Sequence, residues 1–126
     1  MAARILIVDD DEMTRHFLSH ILVQQGFVPE CAADGAEALK LIKAQNFDMV
    51  LLDIEMPVMD GLKALENIRK TYLKKDLPVL MVTANDQSSE IVLALDMGAN
   101  DYVVKPLDVP VLFARIRAHL DLVRKS

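Results

Sequence analysis

The chain is 126 residues long, enough for one domain around a single buried core. Its 52% hydrophobic and 26% charged residues exclude a disordered chain, and apolar runs such as Ile5-Leu6-Ile7-Val8 are far too short to span a bilayer. A net charge of −5, from 19 acidic against 14 basic residues with no Lys/Arg stripe, argues against direct binding to nucleic acid or to anionic membrane surfaces.

In chain order, the first strand is expected over residues 5–8, an aliphatic run that ends directly in acid, unlike a secretory signal. A helix follows from about residue 13 to 25, with Phe17, Ile21 and Leu22 at helical spacing and Gly26 placed to stop it. The second strand is expected over 27–31, where the single Cys31 reads as a buried strand residue; with no second Cys, no internal disulfide is possible and a cytoplasmic location is expected. Asp34 can cap a helix over 36–44, with Ala38, Leu39 and Ile42 as its apolar stripe. The third strand, 49–52, precedes a loop and a helix over about 62–72 with Leu65 and Ile68 inward. The fourth strand, 78–82, leads to a helix over 89–97 closed by Gly98, and the fifth spans 102–104. Asp108 and Pro110 mark the start of the last helix, whose stripe is Leu112, Ile116, His119, Leu120 and Val123.

Such alternation predicts one α/β domain, a parallel sheet with helices on both faces. The uninterrupted apolarity of the first, third and fourth strands suits burial on both sides. The last helix runs to Arg124-Lys125-Ser126 without a stop signal. We therefore expect either a single domain over 1–126 that is complete in itself or one followed by an effector or kinase domain.

The polar residues then fall in a pattern. Asp9 and Asp10 follow the first strand, and Asp53, Thr83 and Lys105 end the third, fourth and fifth. All sit at carboxyl ends of parallel strands, the edge where open α/β sheets bind ligands. With strand order 2-1-3-4-5, strands one and three are neighbours, and Asp9, Asp10 and Asp53 converge. Two unit charges about 4 Å apart repel by on the order of 4 kcal/mol at an effective dielectric near 20. Either their pKa values rise or a cation sits among them. Hard oxygen ligands suit Mg²⁺. Lys and Thr add a positive charge and a hydroxyl donor for phosphoryl oxygens. The set describes phosphoryl transfer to an aspartate.

Four segments carry a resemblance: Ile5-Leu6-Ile7-Val8-Asp9-Asp10-Asp11, Leu52-Asp53-Ile54-Glu55-Met56-Pro57-Val58-Met59-Asp60-Gly61, Val82-Thr83-Ala84, and Gly98-Ala99-Asn100-Asp101-Tyr102-Val103-Val104-Lys105-Pro106. In this order and at these intervals the chain resembles, along essentially its whole length, the CheY-like receiver domains of bacterial two-component response regulators. The resemblance implies a flavodoxin-like, doubly wound five-stranded parallel sheet of order 2-1-3-4-5. It also implies a phosphorylation-activated signalling switch that promotes only its own phosphorylation and dephosphorylation and is otherwise no enzyme. By it, Asp53 takes the phosphoryl group from a sensor histidine kinase or a histidine phosphotransfer protein. Asp10, Asp53 and the backbone carbonyl of Glu55 bind Mg²⁺, with Asp9 acting through water. Lys105 contacts the phosphoryl oxygens and precedes a cis bond to Pro106. Thr83 and Tyr102 move together as the switch. Glu55 and Asn85 flank the site where side chains modulate phosphoryl lifetime, and Leu107 stands where Phe is frequent. The output surface is expected on the fourth helix, fifth strand and fifth helix, open to an effector or to a homodimer paired through Asp96 and Asp101 with Arg115 and Arg117.

Plainer readings exist for single residues. The run from Asp9 to Glu12 also favours a helix N-terminus, with Asp11 or Glu12 as cap. Asp60 and Gly61 shape a loop and cap rather than bind phosphate. Tyr102 could serve only to pack an edge strand. His16, His20 and His119 lack partners at metal-ligand spacing and suit surface or helix packing. Among rival functions, a haloacid-dehalogenase-like phosphatase would use Asp9 but leaves the Asp53 motif unexplained. A binding module that is never phosphorylated leaves the full polar set unexplained. A flavodoxin-like FMN carrier would need a phosphate loop rich in Ser, Thr and Gly, where here there are aspartates.

Overall fold

The computed structural model describes residues 2–56, 59–84 and 88–125. Pro57, Val58 and Asn85 lie outside the described residues, as does the side chain of Val123. The elements alternate as expected: β1 (Arg4–Val8), α1 (Glu12–Gln24), β2 (Val28–Ala32), α2 (Gly35–Ala44), β3 (Met49–Asp53), α3 (Gly61–Thr71), β4 (Val79–Thr83), α4 (Ser88–Asp96), β5 (Asp101–Val104) and α5 (Val109–Lys125). The five strands form one parallel sheet of order β2-β1-β3-β4-β5. β3 and β4 are buried throughout, and β1 from Ile5 onward. These are the three runs that read as uninterrupted apolar stretches, because a central strand covered on both faces has no use for alternation.

Strand alternation splits the core into two layers. Leu6, Val8, Val50, Leu52, Val79 and Met81 face Ala38, Ile42, Ala64, Leu65 and Ile68 of α2 and α3. Ile5, Ile7, Met49, Leu51, Leu80 and Val82 face Leu18, Leu22, Leu112, Ile116 and Leu120 of α1 and α5.

Local signals place the helices. Asp11, Asp34 and Asp60 cap α1, α2 and α3 by accepting from the backbone N–H groups of Thr14, Glu37 and Lys63. At the end of α1, Gly26 adopts φ +85°. The N–H groups of Gly26 and Phe27 then return to the carbonyls of Val23 and Leu22, a Schellman turn. Phe27 is thereby spent on the helix end, so β2 begins one residue later than the sequence suggested. Gly98, at φ +113°, closes α4 the same way.

One expected helix face needs correction, and another carries more than packing. In α1 the core side is Leu18, Ile21 and Leu22, whereas Phe17 is 48% exposed. Phe17 lies about 100° round the helix from Leu18 and lines a groove against Lys105, Pro106 and Leu107 instead. In α5, His119 is no mere packing residue, because its Nε2 lies 3.1 Å from Asp101 Oδ2. Cys31, expected to be buried, is only half-buried because β2 is an edge strand, and its Sγ lies 3.2 Å from Ser19 Oγ. Among the described residues no helix is long and apolar enough to cross a membrane.

Candidate functional site

Adjacent pairing of β1 with β3 brings Val8 opposite Leu52. The residues that follow, Asp9 and Asp53, therefore emerge side by side at the carboxyl edge. One carboxylate oxygen each from Asp9, Asp10 and Asp53 lies within 4.8 Å of the others. Asp9 and Asp53 are 2% and 4% exposed, and Asp10 is open to solvent.

Each buried carboxylate has fixed partners. Asp9 Oδ1 accepts from the Asp11 N–H at 2.9 Å, and its backbone carbonyl accepts from Arg15 Nη1 at 2.7 Å. Asp53 Oδ1 accepts from the Glu55 N–H at 3.2 Å. Lys105 joins the two: its Nζ donates to Asp9 Oδ2 at 3.0 Å and sits 3.9 Å from Asp53 Oδ2. The backbone N–H of Lys105 donates to the Thr83 carbonyl at 2.7 Å, and the peptide bond to Pro106 is cis. Thr83, fully buried, completes the edge from β4.

One ammonium among three carboxylates leaves an excess of negative charge, and the pKa values reflect it. Burial pushes the Asp53 carboxyl up to about 6; the charges of Asp9 and Asp10 add to the rise, and Lys105 opposes it. For Lys105, burial pulls the ammonium down, but the hydrogen bond to Asp9 and the three carboxylate charges outweigh it and hold the group above its ordinary value. Two buried carboxylates and an exposed third, with one cation among them, suit an added hard divalent ion with oxygen ligands.

Gly61 explains why α3 starts where it does. Its N–H donates to the Ile54 carbonyl at 2.7 Å, and an ideal Cβ there would lie 2.1 Å from the Asp53 backbone oxygen. Only glycine lets the helix abut the strand end that carries Asp53. The expectation that Asp60 and Gly61 cap and shape the loop therefore holds.

The edge strand β5 carries Tyr102, which is half-buried. Arg115 of α5 lies over its ring, 5.5 Å from the centroid, and donates to its backbone carbonyl. Asp101 is held within the chain by Arg115 at 3.7 Å and by His119 at 3.1 Å. A cross-dimer pair through Asp101 and Arg115 would have to compete with this intramolecular one. Sequence reading missed the cluster, although Arg115 and His119 are spaced i,i+4 and so share one helix face. It also missed Arg15 on Asp9. Arg69 was missed as well: its guanidinium reaches the carbonyls of Gly98, Tyr72, Leu73 and Leu77 and the Asn100 side chain, tying α3 to the start of β5.

The response regulator receiver domain family matches residues 5–117, and the chain belongs to that family. It is 47% identical over 120 residues, 95% of its length, to the response regulator MprA of Mycolicibacterium vanbaalenii. The match covers 51% of that relative, so the chain spans about half the length of the curated relatives it matches. Among solved structures, a CheY-like receiver domain protein of Methanospirillum hungatei superposes with a TM-score of 0.92 at 34% identity, covering 99% of this chain and 98% of that one. The response regulator TrrA of Thermotoga maritima, in complex with Mg(2+)-BeF, gives 0.83 at 35% identity over 94% of this chain and 99% of that one. The chain is thus a phosphorylation-activated switch of the two-component class.

Proposed function

We propose that Asp53 is the phosphoacceptor and that residues 1–126 form one receiver domain acting in the cytoplasm. The observation that carries this reading is the Lys105 bridge between two buried carboxylates at the sheet edge. An Asp53 carboxylate oxygen attacks the phosphorus of a phosphohistidine, the P–N bond breaks, and the imidazole leaves with its electron pair and takes up a proton. Lys105 holds its charge toward the incoming phosphoryl oxygens, and Thr83 supplies a hydroxyl to them. Mg²⁺, held by Asp10, Asp53 and the backbone carbonyl of Glu55 with Asp9 acting through water, would neutralise the carboxylates and the phosphoryl oxygens together. That TrrA, a similar response regulator, is in complex with Mg(2+)-BeF supports a Mg²⁺ site in this chain.

The donor is a sensor histidine kinase or a histidine phosphotransfer protein. It docks on the groove of about 420 Å³ lined by Met13, Thr14, Phe17, Lys105, Pro106 and Leu107. Met13 is 79% exposed, and the groove includes Lys105, whose Nζ lies 3.9 Å from Asp53 Oδ2. Phosphorylation draws Thr83 and Tyr102 into a second arrangement and so alters the face formed by α4, β5 and α5. An effector domain or protein reads that face, or a second copy pairs on it through the exposed Asp96 and Arg117. The protein turns over no substrate besides its own phosphoryl group.

Incubation with acetyl phosphate and Mg²⁺, read by intact mass, tests the assignment. Wild type and Asp9→Asn should be compared with Asp53→Asn. The expected result is a labile phosphoryl adduct in the wild type that is lost in Asp53→Asn. An adduct that survives Asp53→Asn but disappears in Asp9→Asn would make the protein an Asp9-dependent phosphatase instead.

A further inference from the structure

β5 is an edge strand, paired on one side only with β4. Along any strand the N–H and C=O of one residue point to the same side, so an edge residue directed outward has two backbone groups without a ladder partner. Tyr102 is such a residue, and side chains serve both groups. Its N–H donates to Asp101 Oδ1 at 2.8 Å, and its carbonyl accepts from Arg115 Nη1. The same guanidinium lies over the Tyr102 ring and pairs with Asp101, which His119 holds from the next turn of α5. Backbone groups withdrawn from water are generally paired, and Tyr102 is half-buried, so the clamp meets a need of the fold. Its placement on an aromatic residue, four residues in contact, goes beyond that need.

We propose that Arg115 is a positioning residue that holds the Tyr102 ring in the orientation of this structure and sets the resting bias of the switch. The inference rests on the reading of Tyr102 as a switch residue given above. Asp101 and His119 orient the guanidinium, whose planar face and fork let one group stack on the ring, bond the carbonyl and pair with the carboxylate. A contact made more strongly in one of two states shifts the equilibrium toward that state, and removing it shifts the equilibrium back. Loss of Arg115 therefore raises the share of the other Tyr102 arrangement and tightens binding of any ligand that prefers it.

The test uses beryllofluoride with Mg²⁺ as the phosphoryl mimic and fluorotyrosine-labelled protein, whose two tyrosine signals are assigned with Tyr72→Phe. Wild type, Arg115→Ala and Arg115→Lys are titrated while the Tyr102 fluorine signal is followed by NMR, and urea unfolding reports stability separately. In the wild type, saturation should move the Tyr102 signal. In Arg115→Ala the unliganded signal should already lie part of the way toward the saturated position, with beryllofluoride affinity raised about fivefold, a usual size for coupling between sites. Arg115→Lys, which keeps the charge and loses the plane, should fall between. An Arg115→Ala variant with the wild-type unliganded signal and affinity would overturn the inference and leave the switch reading intact. A wild-type Tyr102 signal that ignores saturating beryllofluoride would overturn both.

Discussion

α3 and α4 flank the same sheet, yet they are anchored very differently. α3 buries Gly61, Ala64, Leu65 and Ile68, and its N-terminus rests on the backbone that carries Asp53. Of the described side chains of α4, only Ala94 is buried, while Val92, Leu93 and Leu95 are 53%, 48% and 38% exposed. The neighbouring β5 is an edge strand steadied by side chains of α5. One half of the molecule fixes the chemistry, because carboxylates that share a cation must keep their spacing. α4 has few apolar contacts to lose, the usual mark of elements that move at low cost. The contrast teaches where a switch of this fold stores rigidity and where it spends freedom.

The sharpest way to break the rigid half is Gly61→Ala. The added methyl would overlap the Asp53 carbonyl oxygen, which is backbone and cannot step aside as a side chain can. We expect a loss of at least about 3 kcal/mol in urea unfolding, at the upper end for overpacking. Phosphorylation by acetyl phosphate should fall with it. A variant of wild-type stability would mean that α3 slides freely against β3, and the contrast with α4 would collapse.

The next effect is a gain. Without divalent ions, the carboxyl of Asp53 is held at about 6 against an ordinary 3.8 by burial and by Asp9. Its folded value is raised, so its stabilising contribution is complete below pH 3.8 and is lost as pH rises through about 6. At neutral pH in a chelator, Asp53→Asn should therefore be more stable than wild type, by on the order of 2 kcal/mol. Thermal scans from acid to neutral pH should show the two curves separating across that window. Added Mg²⁺ should close the gap by stabilising the wild type alone. Parallel curves would show that the site tolerates its charge without help.

Much of the rigid half was legible in the chain. Aliphatic runs at 5–8, 49–52 and 78–82 identified strands buried on both faces, and Asp9, Asp53, Thr83 and Lys105 followed from their positions at strand ends. Asp34 read as a cap because a short carboxylate ahead of an apolar stripe has few other uses. Contacts that depend on where a long side chain turns were not legible. Arg15, Arg69 and Arg115 each reach backbone carbonyls that are distant in sequence or lie on another element, and no spacing rule encodes that. Phe17 misled for a related reason: its apolarity was right, but the surface it meets is a groove formed by residues 105–107 rather than the core.

The smallest expected effect sharpens the contrast most cleanly. Leu65→Ala removes a fully buried side chain from under α3 and should cost about 3 kcal/mol, transfer and cavity together. Leu93→Ala makes the same chemical change on α4, where the side chain is half in water already. Its cost in urea unfolding should stay within about 0.5 kcal/mol, as for surface positions generally. Stability is the wrong place to look for what Leu93 does, so the informative measurement is a pair. If Leu93→Ala leaves unfolding unchanged but weakens phosphorylation-dependent self-association or effector binding, its exposed apolar surface belongs to the output face. A cost comparable to that of Leu65→Ala would instead show α4 packed as firmly as α3. Mobility would then have to be sought in β5 and its clamp alone.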